Sequence, residues 1–450
     1  MAKKDLMISV AGIRGIVGDS IIPEEYLKYV MAFSNSLKNK KIIVGGDSRK
    51  SREMMRHIAF SGLIATGIEV IDIGIAPTPT VGLLVKELNA GGGIAITASH
   101  NPREWNAYKF FSDKGIFLNK EEFNALMQIY QAGEFKLARI DEIGKVVKNE
   151  DAFRIHLNKI FNYVDVDIIR QKKVKVVVDC CNGAGSEIIP RLLEDLNCET
   201  IIINNDITKE FPHIPEPLPE NIGELCEKVK ETGADIGFAI DPDADRVAIV
   251  DETGKAIGEE RSVTLATNYV LSKKKGPVVV NLSTTRAVDD VAKRNGVNVF
   301  RTPIGEAYVA KKMLDIGSVI GGEGNGGIMI PGIHPCRDAT AGIALILEML
   351  VKSKKRISEV NKTIPDYAII KKKYEIDREK YETIINAVRF KFQKASMTDI
   401  DGLKISFEKS WIHLRLSGTE PILRLFVEAP TKDVANDLIR EVEHLVLKFK

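Results

Sequence analysis

Residues 241–246 read D-P-D-A-D-R, and the alternation of Asp241, Asp243 and Asp245 aims three carboxylates toward one point in an extended loop. Like charge clustered in this way is costly unless a cation neutralises it, and an oxygen-only donor set suits Mg2+. Three other stretches carry chemically able residues. Ser99, in T-A-S-H-N-P at 97–102, is a hydroxyl at a strand end with Thr97, His100 and Asn101 able to hydrogen-bond around it. G-G-E-G-N-G-G at 321–327 presents Glu323 and Asn325 from a glycine-permitted tight loop, an arrangement suited to hydrogen bonds with sugar hydroxyls. R-L-S-G-T-E-P at 415–421 joins Arg415 to two hydroxyls and free backbone N–H groups around Gly418, a natural nest for a phosphate.

Each stretch has a plainer reading. D-x-D-x-D also opens a calcium EF-hand loop, with Glu252 at the twelfth position, but Arg246 stands where that loop needs glycine and V-A-I-V is a strand. A haloacid-dehalogenase-like phosphatase carries D-x-D after a strand, yet wants Thr or Val where Asp245 stands; a solvated acidic loop is the remaining alternative. Ser99 lacks the G-x-S-x-G elbow of hydrolases, and alone it reads as a helix cap beside an Asn-Pro turn. Gly322, Gly324 and Gly327 match G-x-G-x-x-G formally, but an extended run follows where a dinucleotide site needs a helix. Ser417 to Glu420 fits a capping box, although Pro421 and the alternating I-L-R-L-F-V run make a following helix improbable. No histidine pair has metal spacing among the 7 present, and no Walker A sequence occurs.

The elements that must position these loops repeat three times. A buried-looking strand begins each copy, at K-I-I-V-G-G-D-S-R-K, V-K-V-V-V-D-C-C-N-G and P-V-V-V-N-L-S-T-T-R. A second strand follows (I-E-V-I-D-I-G, E-T-I-I-I-N-N, V-N-V-F-R-T-P), then a third that runs into Ser99, into the aspartates, or into the glycine loop. Apolar strands separated by helical segments imply sheets covered on both faces and right-handed crossovers, with ligands at the C-terminal strand ends. After residue 370 two alternating strands around a polar loop, with a helical segment, predict a smaller α+β domain. The expected fold is thus α/β: three similar α/β domains with mixed sheets (1–150, 151–255, 256–368) and a smaller C-terminal α+β domain (369–450) around a central cleft.

The 450 residues exceed what one small module needs, and 44% hydrophobic with 28% charged residues excludes a disordered or collagen-like chain. A net charge of +2 gives no overall field toward nucleic acid or anionic lipid. The N-terminal apolar run is too short for a signal segment. The stretch near 341–351 contains Glu348 and falls short of the ~20 residues of a membrane span, so it reads as a core helix. An odd count of 5 cysteines without C-x-x-C indicates neither a disulfide framework nor a zinc knuckle, which suggests a reducing, cytoplasmic location.

Taken in order, G-I-R-G near the start, T-A-S-H-N-P, D-P-D-A-D-R, a G-E-x-x-G loop and R-x-S-G-T-E-P resemble the α-D-phosphohexomutase superfamily, over essentially the whole chain. The resemblance implies a phosphoserine at Ser99 and Mg2+ held by Asp241, Asp243 and Asp245 and by that phosphate. It implies Arg14, Lys109 and Arg246 as neighbouring cations, with Lys109 or His100 as general acid or base. The implied reaction is a reversible 1-phosphate to 6-phosphate shift through a hexose bisphosphate, which also serves as activator. Arg415, Ser417, Gly418, Thr419 and Arg424 would grip phosphate, while Glu323 and Asn325 would hold hydroxyls. The sugar loop departs from the G-E-x-S-G-H of many relatives, with Asn325 for the serine and Gly327 for the histidine, whose role falls to His334 if it is supplied at all. The segment around Arg301, Thr302, Gly305 and Glu306 looks closer to phosphoglucosamine mutases, where an acidic residue follows the glycine and pairs with a 2-ammonium. A hexosamine phosphate is therefore the expected substrate, with phosphomannomutase or phosphoglucomutase activity as the alternative. A non-catalytic sugar-phosphate binder is the alternative of another class. No nucleic-acid or membrane partner is expected, and the sequence leaves homo-oligomerisation open.

Overall fold

In the computed structural model, which describes residues 6–417 and 422–449, the β-branched runs become strands arranged in four sheets. The first contains β1 (Met7–Ser9), β2 (Gly12–Ile16), β3 (Lys41–Gly46), β4 (Glu69–Ile75), β5 (Gly92–Ile96), β6 (Trp105–Phe111) and β7 (Lys145–Lys148) in the order β1-β2-β6-β5-β3-β4-β7. The second holds β8 (Lys175–Asp179), β9 (Glu199–Ile203), β10 (Ile236–Ile240) and β11 (Val247–Asp251), ordered β11-β10-β8-β9. The third holds β12 (Val278–Asn281), β13 (Val299–Thr302), β14 (Ile320–Glu323), β15 (Gly327–Ile330) and β16 (His334–Arg337), ordered β13-β12-β14-β15-β16.

The threefold repeat seen in the sequence is a repeat of topology. The runs β6-β5-β3-β4, β11-β10-β8-β9 and β15-β14-β12-β13 share one order, with parallel pairing of the first three elements and an antiparallel return strand at one side. Each chemically able loop lies between the third strand of its copy and that return strand, at the C-terminal end of a strand with hydrogen-bonded neighbours on both sides. Positions there are fixed by two flanking ladders, which makes them good supports for reactive side chains.

One apolar core runs from Ile43 to Ile364 and binds one face of the first unit to the second and third. It includes the helix Ala339–Ser353, the expected core helix, buried through the first twelve of its residues; its Glu348 is satisfied by Lys273 at 2.7 Å and Lys352 at 3.0 Å. Among the described residues no helix is long and apolar enough to cross a membrane. The fourth unit has its own core. Its sheet, β17 (Ala368–Glu375), β18 (Ser396–Thr398), β19 (Leu403–Ser406), β20 (Trp411–Leu416) and β21 (Ile422–Ala429), is antiparallel in the order β17-β21-β20-β19-β18, with helices Tyr381–Lys391 and Lys432–Phe449 packed on it. This unit meets the third through polar contacts. The Ile304 N–H donates to Asp401 (2.9 Å), the Arg286 N–H to Glu428 (2.9 Å), Ser283 Oγ lies 2.8 Å from His413 Nδ1, and Lys404 reaches the Leu282 carbonyl.

Candidate active site

Ser99 sits just past β5 with φ +51°, a left-handed conformation that costs a non-glycine residue of order 1–3 kcal/mol and therefore needs outside support. Arg49 supplies it. The side chain of Arg49 is fully buried; Nη2 donates to the carbonyls of Ser99 (2.6 Å) and Asn101 (2.7 Å), and Nη1 to those of Pro102 (2.6 Å) and Trp105 (3.2 Å). Nε pairs with Asp47 at 3.0 Å, Asp47 accepts from the Thr97 hydroxyl at 2.6 Å, and Thr97 Oγ1 accepts the Ser99 N–H at 2.9 Å. Held this way, Ser99 Oγ donates to Asp241 Oδ2 at 3.0 Å and lies 3.4 Å from His100 Nδ1. Burial, and then the charges of Arg246, Arg14 and Arg337, pull the His100 imidazole well below its ordinary pKa, so it is neutral near pH 7 and keeps a proton only in passing.

The aspartate loop leaves β10 and turns at Ala244, φ +52°. Gly183 lets it close, because a Cβ there would stand 2.5 Å from the Pro242 carbonyl oxygen. All three carboxylates are fully buried, and one oxygen from each falls within 4.8 Å of the others. The protein binds only part of each group. Asp241 Oδ1 accepts the N–H groups of Asp245 (3.0 Å) and Arg246 (3.1 Å), Asp243 Oδ2 accepts from Lys109 and Thr78 (both 2.7 Å), and Asp245 Oδ2 accepts from Arg337 (2.5 Å). Asp243 Oδ1 and Asp245 Oδ1 are buried without a hydrogen-bond partner, an orphaned acceptor pair beside Asp241 Oδ2 and Ser99 Oγ. Hard oxygen donors left unsatisfied in this way fit a divalent cation such as Mg2+. The electrostatics agree. Burial and the like charges of Asp245 and Asp243 push Asp241 well above the carboxylate range. Burial acts on Asp243 too, but there the Lys109 ammonium and the Thr78 hydroxyl win and hold it below that range.

A cavity of about 900 Å3 opens above these groups, lined by Arg14, Ser99, His100, Lys109 and Arg246 on one side. Gly305, Glu306, Glu323, Asn325 and Arg337 line it from the third unit, and Lys371, Lys373 and Arg424 from the fourth. The cleft therefore joins the metal-type cluster, the glycine loop and a cationic wall. Arg14 reaches the Asn101 side chain, and burial above all lowers its guanidinium to about 10. Arg246 pairs with Glu216 at 3.1 Å while its Nε stays 3.9 Å from Asp241 and 3.7 Å from Asp245. Glu323 accepts from Asn281 Nδ2 (2.8 Å) and the Gly305 N–H (3.0 Å), and Asn325 Oδ1 accepts the Gly327 N–H at 3.3 Å.

Several residues expected at the substrate lie elsewhere or are already engaged. Arg301 does not line the cavity; it caps carbonyls of Asn281 (3.0 Å) and Thr284 (2.8 Å) and pairs with Asp289 (2.5 Å), so it shapes a loop. The hydroxyl of Thr302 turns to the Pro303 carbonyl, 2.9 Å away. Both oxygens of Glu306 are held by Arg337, at 3.0 Å from its N–H and 3.0 Å from Nε, so an internal guanidinium occupies the place assigned to a substrate ammonium; burial still lifts this carboxyl to about 7. His334 packs its Nε2 2.7 Å from the Gly115 carbonyl, at the seam between the first and third units, and does not replace the missing sugar-loop histidine. Arg415 holds Asp401 at 2.8 Å and Ser417 is buried, its N–H donating to the Ile422 carbonyl at 2.8 Å; neither lines the cavity, whereas Arg424 does. Gly418 and Thr419 lie outside the described residues. Arg49, Asp47, Thr78 and Arg337 were missed in the sequence. D-S-R after β3 was the available signal for the first two.

The alpha/beta/alpha domains I, II and III of phosphoglucomutase/phosphomannomutase match residues 6–137, 154–254 and 259–367, and the C-terminal domain of that family matches 354–445. A phosphoglucomutase/phosphomannomutase of Thermococcus kodakarensis is 38% identical over 95% of both chains. A probable phosphoglucosamine mutase of Pyrococcus furiosus is 36% identical over 97% of this chain and 96% of its own. A phosphoglucosamine/phosphogalactosamine mutase of Sulfurisphaera tokodaii is 33% identical over 97% and 98%. Among solved structures, a phosphoglucomutase/phosphomannomutase family protein of Burkholderia thailandensis superposes with a TM-score of 0.85 at 23% identity, covering 98% of each chain.

Proposed function

The chain belongs to the phosphoglucomutase/phosphomannomutase family and is an isomerase of the mutase type, and we propose that it interconverts the 6- and 1-phosphates of a hexosamine, glucosamine phosphate first. The observation that carries the mechanism is Ser99 Oγ 3.0 Å from Asp241, beside two orphaned carboxylate oxygens. In this reading Ser99 carries the phosphoryl group, and Asp241, Asp243 and Asp245 with that phosphate would hold Mg2+. The ion, when bound, offsets the charge of the phosphate and stabilises what builds up during transfer.

The free hydroxyl of a hexosamine monophosphate attacks the Ser99 phosphorus; the new O–P bond forms as the bond to Oγ breaks, and the hydroxyl proton is relayed to the departing Oγ, with His100 Nδ1 3.4 Å from Oγ as the group placed to pass it on. Lys109 holds Asp243 in place and, with Arg14 and Arg246, balances the added negative charge. The resulting bisphosphate turns over in the cleft, and its other phosphate returns to Ser99. Arg424, which lines the cleft, grips whichever phosphate is distal, with Arg415 as its cross-strand neighbour on β20. Glu323 and Asn325 hold hydroxyls common to both poses.

The amino-sugar preference is supported by the relatives named phosphoglucosamine mutase at 34–36% identity and by Glu259, Glu260 and Glu323 in the lining of the cleft. Since the Thermococcus relative is named for glucose and mannose phosphates, the deciding experiment compares turnover of glucosamine, mannose and glucose 6-phosphates with purified protein and Mg2+. The highest kcat/KM is expected for the amino sugar; if it ranks last, the substrate assignment fails while the mutase assignment stands.

A further inference from the structure

The Arg337 side chain touches the aspartate loop, the first residue of helix Glu306–Ile316 and the glycine loop together. Nη2 donates to Asp245 Oδ2 at 2.5 Å, Nε to Glu306 Oε2 at 3.0 Å and Nη1 to Glu323 Oε2 at 2.9 Å, while the backbone N–H of Arg337 donates to Glu306 Oε1 at 3.0 Å. The side chain is 9% exposed. A planar guanidinium with three separate carboxylate partners fixes their mutual orientation as a lysine, with one nitrogen, cannot. Asp245 belongs to the second unit and Glu323 to the third, so the contact also sets the distance between the phosphoryl-transfer side of the cleft and its sugar side.

The backbone leaves room for this arrangement at one point. Gly327 begins β15 directly under the Arg337 stem; a Cβ there would stand 2.2 Å from Arg337 Cδ and 2.8 Å from Cγ. Those atoms lie in the middle of a chain whose far end is pinned by three carboxylates, so they cannot swing aside without breaking the pairs. Glycine at 327 and arginine at 337 therefore act as a unit. Glu323 also receives Asn281 Nδ2 and the Gly305 N–H on its other oxygen, which leaves limited acceptor capacity, aimed into the cleft.

We propose that Arg337, seated in the space left by Gly327, is the positioning residue that orients Glu323 and Glu306 against the aspartate loop and thereby sets which hexose phosphate the enzyme prefers. This rests on the mutase reading above. Glu323, which holds sugar hydroxyls in that reading, and Glu306 both owe their direction to Arg337.

The test is a double-mutant cycle with Arg337→Lys, Gly327→Ala and the pair, reading Tm and then kcat and KM for glucosamine, mannose and glucose 6-phosphates. Arg337→Lys is expected to stay folded, to lose about tenfold or more in kcat/KM on the preferred sugar, and to compress the ratio between best and worst sugars. Gly327→Ala should do the same by displacing the arginine, and the pair should be within about threefold of the worse single variant. Wild-type selectivity in Arg337→Lys, a silent Gly327→Ala, or losses that multiply independently would overturn the proposal. Should the single variants not fold, Arg337→Met with Glu306→Leu removes a charge from each side; retained selectivity in that protein would equally overturn it. A wild-type protein inactive on all three sugars sinks the mutase reading and this inference with it, whereas an active wild type with unchanged variants sinks this inference alone.

Discussion

Replacing Arg49 by lysine isolates the support of the reactive serine from the chemistry itself. The guanidinium is fully buried and uses its donors on four carbonyl groups of one loop and on Asp47. Lysine keeps the charge and the Asp47 pair but can satisfy at most one or two of those carbonyls. Each buried acceptor left without a partner costs about 1–3 kcal/mol, less what water or relaxation recovers. The loop has a cheaper way out, which is to release the left-handed Ser99 and regain the order of 1–3 kcal/mol stored there. Relaxation of that size corresponds to roughly a tenfold to hundredfold fall in kcat, because Oγ no longer faces Asp241. Tm should fall by only a few degrees, since the core beneath the loop is untouched. The assay is steady-state turnover of glucosamine 6-phosphate with saturating Mg2+, together with a thermal melt. An Arg49→Lys protein with wild-type kcat, or one whose lost activity is accounted for by unfolding, refutes the claim that carbonyl clamping holds Ser99 ready.

Other predictions follow from the same contacts. Lys109→Met leaves Asp243 buried without its ammonium, a change that costs about 3–5 kcal/mol when an ion pair is broken from one side; added Mg2+ should raise the Tm of this variant more than that of the wild type, as a differential melt with and without the ion will show. His334 is buried and its pKa lies near 4, below the ordinary 6.5, so the unfolded chain takes up its proton first as pH falls. Its contribution is full above pH 6.5 and is lost as pH drops toward 4, about 2 kcal/mol of it between pH 7 and pH 5; urea unfolding of wild type and His334→Gln should show the variant losing less stability over that range. Asp401 spans the third and fourth units, accepting the Ile304 N–H at 2.9 Å and Arg415 Nε at 2.8 Å. Asp401→Asn should raise KM for a sugar monophosphate several-fold with little change in kcat, and a change confined to kcat would contradict the role given to Arg415.

The sequence made the repeating framework and the acidic trio legible because both are local. Strand runs announce themselves by β-branched composition, and three aspartates on alternate positions need no tertiary information to be seen as a cation site. Ser99 by itself reads as a helix cap beside a turn, and only the company of the other motifs singles it out. What stayed hidden depends on contacts between distant segments. Arg49 looks like an ordinary turn residue until the carbonyls of Ser99 to Trp105 fold over it. Arg337 lies ten residues past the glycine loop and meets it only through the return of β15 and β16. The likeness of the segment around Arg301 and Glu306 to phosphoglucosamine mutases carries no information on internal ion pairs, and the structure gives each a partner of opposite charge within the protein, Asp289 and Arg337. His334 fails likewise, because its partner is a carbonyl 219 residues away in the first unit.

The central claim is that Ser99 carries the phosphoryl group in transit. Intact-mass measurement of the protein after incubation with a hexose 1,6-bisphosphate and Mg2+ tests it directly. The account predicts a species heavier by one phosphoryl group, mapped to Ser99, discharged by glucosamine 6-phosphate and absent from Ser99→Ala. A wild-type protein that turns over sugar phosphate yet never gains that mass, or gains it equally in Ser99→Ala, would contradict it.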